Sequence, residues 1–290
     1  MASPAPEQVK KAEAFRALHS QPEPLVLVNV WDIASARIIE ELGFPALATT
    51  SAGIAFSKGF PDGQKFPPEQ MISAVAEIAQ SVQVPVTADA EAGYGSTPES
   101  AARTAREVIL AGAVGMNFED ATGVVERPLA DVSLQVERIR AIREAAIEVG
   151  VPLVLNARTD VYLLQVGDPG SRYEEAVKRL RAYREAGADC VFAPGIRDPE
   201  TIGRLVSDLA CPLNILAVPG SLSIPELAAL RVKRISLGSG PMRAAMGLLR
   251  RLGQEVKAKG TYSNMEGAPS HAEMNQLMAA ILKPKLRTEN

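Results

Sequence analysis

The sequence predicts an α/β fold, a closed (β/α)₈ (TIM) barrel with a C-terminal helical extension. Three observations carry that expectation. Eight short apolar runs alternate strictly with eight helical stretches, the pattern of a parallel sheet with helices outside it. The eight units fit into roughly 250 residues, the size of a closed barrel. A glycine recurs between helix end and strand start in Leu42-Gly43-Phe44, Ala111-Gly112-Ala113 and Ala186-Gly187-Ala188. A doubly wound open sheet is the runner-up, but no G-x-G-x-x-G opens a helix after the first strand.

Taken in order, a helical segment at 8–18 precedes the first strand, 25–30, which is apolar and β-branched. Asp32 can cap the helix 33–42, and Gly43 ends it. The strand 46–49 leads into a loop, Thr50-Ser51-Ala52-Gly53, and then a helix at 67–81. Strand 84–89 is followed by a helix starting at Pro98 and running to 110. Strand 114–118, helix 133–149, strand 152–156, helix 173–186 and strand 189–192 continue the alternation. Helix 199–209, strand 213–216, helix 224–230, strand 234–237 and helix 241–257 complete it. The catalytic barrel is expected to span 1–260 and a helical tail 261–290. In that tail a helix is expected over 265–283. Its Met274, Leu277, Met278 and Ile281 have helical spacing, a stripe suited to packing on a neighbouring subunit.

Composition narrows the classes of function. Of 290 residues 47% are hydrophobic, enough for a sizeable core. The net charge is −3 and no long basic run occurs, so neither nucleic acid nor a membrane surface is an expected partner. No run of about 18 apolar residues suggests a membrane span. The N-terminus lacks a charged-then-apolar signal pattern. Cys190 and Cys211 are not in metal-ligand spacing and read as free thiols in a reducing cytoplasm. With His19 and His271 the only histidines, neither a histidine triad nor a His-rich zinc site is supported.

Active sites in such barrels lie at the carboxyl ends of the strands. Those ends read Asn29 and Asp32, Ser51-Ala52-Gly53, Asp89 and Glu91, Asn117, Glu119 and Asp120, Asn156, Arg158 and Asp160, then Asn214 and Ser239. The opposite ends offer little chemistry. Residues i and i+2 of a strand share a face, so Thr87, Asp89 and Glu91 project together if the strand reaches that far. Adjacent carboxylates repel unless a cation sits between them. Asp89, Glu91 and Glu119 can converge on one Mg²⁺, directly or through water, since Mg²⁺ takes oxygen ligands and keeps several waters. Arg158 is then the fixed cation among acids, suited to a substrate carboxylate or an enolate oxygen. Ser51, Ala52 and Gly53 can offer a hydroxyl and backbone N–H groups to an anion.

At these residues the sequence resembles the isocitrate lyase/phosphoenolpyruvate mutase superfamily. The motifs are Thr49-Thr50-Ser51-Ala52-Gly53, Asp62-Gly63, Thr87-Ala88-Asp89-Ala90-Glu91-Ala92-Gly93-Tyr94-Gly95, Asn117-Phe118-Glu119-Asp120 and Asn156-Ala157-Arg158-Thr159-Asp160. The likeness extends over residues 25–249. It implies a barrel, Mg²⁺ (or Mn²⁺), an α-keto or 2-hydroxy carboxylic acid, and homotetramers that swap C-terminal helices. By position it implies that Ser51, Ala52 and Gly53 hold the substrate carboxylate. Asp89 becomes the direct metal ligand, with Glu91 and Glu119 acting through water. Asp62 is then the loop aspartate near the metal, Arg158 the arginine on the substrate oxyanion, and Asn214 the asparagine on a distal carboxylate.

Three departures bear on the chemistry. Glu91 stands where well-known members have Asp. Lyase members carry K-[KR]-C-G-H after Glu119-Asp120, whereas residues 121–131 here contain no cysteine, histidine or lysine. The Lys and Asn of the mutase loop are missing too. Ala193 falls where relatives place Glu or His. What remains can stabilise an enolate formed when a bond next to a carbonyl breaks. The expectation is a Mg²⁺-dependent carbon–carbon lyase on a small α-keto or 2-hydroxy di- or tricarboxylate, like an oxaloacetate decarboxylase or a methylisocitrate lyase. Decarboxylation needs no general base. A retro-aldol or retro-Claisen cleavage needs one, and Glu126, Tyr94, Asp62 or a metal-bound hydroxide are the candidates. The alternatives are a non-catalytic α-keto acid binder and a carbon–phosphorus hydrolase or mutase.

Overall fold

The computed structural model describes residues 6–279. Its strands are β1 (Leu25–Leu27), β2 (Asn29–Val30), β3 (Leu47–Thr49), β4 (Val86–Asp89), β5 (Gly115–Glu119), β6 (Val154–Arg158), β7 (Cys190–Phe192), β8 (Leu213–Leu216) and β9 (Arg234–Ser236). All pairings between them are parallel, in the order β1-β9-β8-β7-β6-β5-β4-β3-β2. The two outer members of that order are pieces of one strand interrupted at Val28. Leu25 pairs with Arg234 while Asn29 pairs with Ala48, so the sheet closes on itself as the eight-unit pattern predicts. Closure removes the sheet edges and gathers every strand end into one of two rings.

The helices are α1 (Pro6–Leu18), α2 (Ile33–Glu41), α3 (Ser51–Ser57), α4 (Pro68–Ser81), α5 (Pro98–Leu110), α6 (Val132–Val149), α7 (Arg172–Glu185), α8 (Pro199–Leu209), α9 (Ile224–Ala229), α10 (Gly240–Lys259) and α11 (His271–Ala279). Local sequence starts them. Asp32 with Ser35, Thr97 with Ser100 and Ser223 with Glu226 form reciprocal caps, each satisfying orphan backbone donors of a first turn. Pro98, Pro199 and the proline of α10's first turn sit where a missing N–H is harmless.

Helix α1 plugs the amino end of the barrel. Its Phe15 and the adjoining His19 are buried against Arg234, which is itself fully buried on β9. Gly115 admits the plug, since a Cβ there would stand 2.6 Å from the Phe15 ring and 2.7 Å from Thr87 Oγ1. Arg16 and Arg143 both pair with Asp189, fastening α1 and α6 to the start of β7. The opposite, carboxyl end stays open.

Two expectations change. Residues 50–53 are not a loop: Thr50 caps α3, accepting from the Gly53 N–H at 3.2 Å. The tail helix begins at His271 rather than 265, because Gly267 has φ of 78° and Pro269 lacks a donor. It lies on α2 of its own chain, where Arg37 donates to the Leu277 carbonyl at 3.5 Å, with Met274, Leu277 and Met278 half-buried. Ile281 lies outside the described residues.

Candidate active site at the barrel mouth

The open end holds a cavity of about 250 Å³, just below the usual range of ligand sites. Asp62, Asp89, Glu91, Glu119 and Arg158 line it together with Ser51 and Ala52. Strand ends and the segments that follow them thus bring together seven of the residues singled out from sequence.

Asp89, the last residue of β4, is fixed from behind. Its backbone N–H donates to Thr49 Oγ1 at 2.9 Å, and its Oδ2 accepts from the Ser51 N–H at 3.1 Å and Ser51 Oγ at 2.9 Å. Its Oδ1 is buried with no partner, a costly state for a carboxylate oxygen without a ligand. Ser51 is therefore spent on Asp89, and the Gly53 N–H on Thr50. Of the three small residues only Ala52 keeps its N–H clear of such bonds.

The strand does not reach Glu91. It ends at Asp89, and Glu91 takes a left-handed φ of 48°, so its carboxylate enters the cavity through the turn, not by alternation. The Gln64 N–H donates to Glu91 Oε2 at 2.5 Å, and the Tyr94 hydroxyl approaches Oε1 at 3.5 Å. Burial, then Asp89 and Asp62, push the Glu91 carboxyl up to about 7. Burial also raises Glu119 well above the usual carboxylate range, with Arg158 opposing and Asp160, Asp89 and Glu91 reinforcing. Asp62 is raised by burial and Asp89, against the Gly63 N–H.

Arg158 ends β6 and is held on two sides. Its Nη1 meets Glu119 Oε2 at 2.8 Å, and its Nε and Nη2 grip Asp160 at 2.5 and 2.9 Å. Asp160 is in turn anchored by its N–H to Asp120 Oδ1 at 3.0 Å. Asp120 is fully buried and saturated: its Oδ2 accepts from Thr159 at 2.7 Å, Tyr183 at 2.7 Å and Arg179 at 3.2 Å. This network fixes the guanidinium from below.

Four singled-out residues do not reach the cavity. Gly53 lies in the first turn of α3 with its N–H on Thr50 and is not part of the lining. Asn214 is fully buried in the barrel and donates to Ser236 Oγ at 3.1 Å; Leu216, two residues on and on the same face, lines the mouth instead. Glu126 is exposed at the tip of a hairpin, which closes through the Ala121–Leu129 bridge and a 2.9 Å bond from the Thr122 N–H to the Pro128 carbonyl. Tyr94 touches Glu91 but is not part of the lining. Burial and Glu91 raise its phenol, leaving it a donor rather than a base. Ala193 is buried in the core.

Among the described residues no three carboxylate, imidazole or thiol side chains stand close enough to grip one ion directly. That spacing fits a cation with one direct carboxylate and others through water. Asp89, with its unpartnered Oδ1, is the residue suited to direct contact.

Sequence reasoning passed over Leu163, Phe192, Pro194 and Leu216, which line the opposite side of the cavity. Their one signal is position, since Phe192 and Leu216 close their strands, but an apolar residue there reads as core.

The relatives of this parallel (β/α)₈ barrel, with acids and a fixed arginine at its mouth, are lyases and mutases, and the chain is an enzyme of their superfamily. The phosphoenolpyruvate phosphomutase family profile matches residues 15–257, and the chain belongs to the isocitrate lyase/phosphoenolpyruvate mutase superfamily. A Mycobacterium tuberculosis protein is 38% identical, over 80% of this chain and 84% of the relative. The 2-methylisocitrate lyase of Escherichia coli is 30% identical, over 64% of this chain and 62% of its own. Among solved structures, one from Burkholderia cenocepacia J2315, classed as a lyase/mutase, superposes with a TM-score of 0.89 at 40% identity, covering 95% of this chain and 98% of the other. A 2,3-dimethylmalate lyase superposes at 0.82 with 30% identity, covering 93% and 95%. An oxaloacetate acetylhydrolase holding its product oxalate superposes at 0.82 with 28% identity, covering 93% and 94%.

Proposed function

We propose that the protein is a Mg²⁺-dependent carbon–carbon lyase acting on a small α-keto or 2-hydroxy acid through an enolate. The observation that carries this reading is the buried, unpartnered Oδ1 of Asp89 in a cavity that also presents Arg158. Asp89 would hold Mg²⁺ (or Mn²⁺) directly, and Glu91 and Glu119 would hold its waters. When bound, the ion supplies positive charge to the keto oxygen and carboxylate of the substrate. Arg158, fixed by Asp160, stabilises negative charge developing on the enolate oxygen without having to reorganise. The Ala52 N–H orients the substrate carboxylate, while Ser51 holds Asp89 in place. Asp62 is the one proposed proton-transfer group that lines the cavity. Relatives that act on 2-methylisocitrate and 2,3-dimethylmalate support the bond type.

The test is a substrate panel of oxaloacetate, 2-methylisocitrate, isocitrate and phosphonopyruvate followed by NMR, with Mg²⁺ or with EDTA. Carbon–carbon cleavage that needs Mg²⁺ and is lost in Asp89→Ala is expected. Full activity in EDTA sinks the metal role. A second reading, an α-keto acid binder, draws support from Glu126 standing outside the cavity on a loop without Cys, His or Lys. Binding of 2-oxoglutarate or oxalate with no turnover of any compound would favour it, whereas release of phosphate from phosphonopyruvate would indicate carbon–phosphorus chemistry.

The barrel of 1–260 is assigned the chemistry and the tail of 261–290 the assembly. Only Met242 and Glu255 of the 20-residue α10 are buried, while Met246, Leu249 and Val256 are exposed. A face of that kind supports self-association; the family resemblance implies a homotetramer, which light scattering would size. Among the described residues no helix is long and apolar enough to cross a membrane. The free thiols of Cys190 and Cys211 suit the cytoplasm.

A further inference from the structure

The charged and the apolar halves of the cavity adjoin at Arg158 on one side and are separated on the other by the polar, uncharged Ser236, Gly238 and Ser239. The ends of β2 to β6 and the loops after them supply every charged group in its lining. The next arc of the mouth, following β6, β7 and β8, supplies Leu163, Phe192, Pro194 and Leu216 and no charge. Phe192 and Pro194 are buried, so this arc is a formed wall. The halves meet where Arg158 lies over the Phe192 ring, 5.7 Å from its centroid.

Resting on the reading above, we propose that the site takes a 2-oxo acid with a single carboxylate and an apolar tail, in preference to a di- or tricarboxylate. A 2-oxo carboxylate placed between Asp89 and Arg158 directs its remaining carbons at the uncharged arc. A second carboxylate there would lie against Phe192, Pro194 and Leu216, with no cationic side chain in that arc of the lining to receive it. Arg158 cannot serve both ends, since Glu119 and Asp160 already hold it. Arg158 is the one cationic side chain in the lining, against four carboxylates. Asn214, which by position would take a distal carboxylate, is turned to Ser236 inside the barrel. Arg197 follows β7 but stands near Gly220 and is not part of the lining.

The pair 2-oxopentanoate and 2-oxoglutarate tests this, because they share a five-carbon chain and differ by methyl against carboxylate at its far end. Calorimetry of the full-length protein with saturating Mg²⁺ should show 2-oxopentanoate binding at least about tenfold tighter. Lengthening from 2-oxobutanoate should gain about fourfold per buried methylene. Equal or tighter binding of 2-oxoglutarate overturns the proposal and leaves the lyase reading standing. Binding of neither acid, together with no Mg²⁺-dependent turnover of the panel, overturns both. Leu163→Arg supplies a second measurement, at a position 45% exposed and tolerant of a long side chain. It should move the preference toward 2-oxoglutarate by about tenfold; an unchanged ratio means the arc does not face the tail, and overturns the proposal.

Discussion

Asp89 and Asp120 are the same residue type, at the ends of neighbouring strands, yet they are treated in opposite ways. Asp120 accepts from Thr159, Tyr183, Arg179 and the Asp160 N–H, and none of its valence is left over. Asp89 is bonded through one oxygen to Ser51, and its other oxygen is buried with nothing on it. A saturated buried carboxylate fixes structure, whereas an unsaturated one costs stability until a ligand arrives. The contrast separates scaffold from site within one ring of acids.

Exchanging the two acids for alanine should break this contrast most sharply. Asp89→Ala is expected to lower Mg²⁺-dependent turnover on the order of 10³-fold, while its unfolding free energy in metal-free urea titrations stays within about 1 kcal/mol of wild type. Asp120→Ala should lose about 3–5 kcal/mol of stability, because Arg179, Tyr183 and Thr159 keep buried donors without an acceptor. Equal stability losses in the two variants would erase the distinction.

The plugged end of the barrel extends the comparison to a group that titrates. Burial and Arg234 hold His19 down to about 4, from an ordinary 6.5. Between those values the unfolded chain binds the extra proton. Stability is therefore complete above pH 6.5 and falls as pH drops through that window, by about 3 kcal/mol at most. His19→Gln should flatten that part of the profile in denaturant titrations at stepped pH. The smallest effect is expected at Glu126, exposed and apart from the cavity: Glu126→Gln should leave kcat/KM within about twofold. A large loss there would bring the hairpin tip into the chemistry.

Much of this organisation is legible in the sequence. Alternation carries the barrel, and the acids at strand ends carry the mouth. What was hidden depended on depth and backbone. Asn214 sits at a strand position that alternation turns inward, but only the barrel's stagger decides that Leu216, not Asn214, reaches the opening. Glu91 reaches the cavity through a left-handed residue, which favours no β-period and rarely suits a glutamate. Ser51-Ala52-Gly53 looks like a small-residue turn until Thr50 caps it into α3. Phe192 and Pro194 read as core because burial and lining a cavity demand the same residue types.

The unsaturated oxygen of Asp89 can be tested without any substrate. Mn²⁺ binding to the metal-free protein, followed by electron paramagnetic resonance, should reveal one site per chain that weakens at least about tenfold in Asp89→Asn, where an amide replaces the anionic ligand. Mn²⁺ bound as tightly by Asp89→Asn as by wild type would contradict the assignment of Asp89 as the direct ligand.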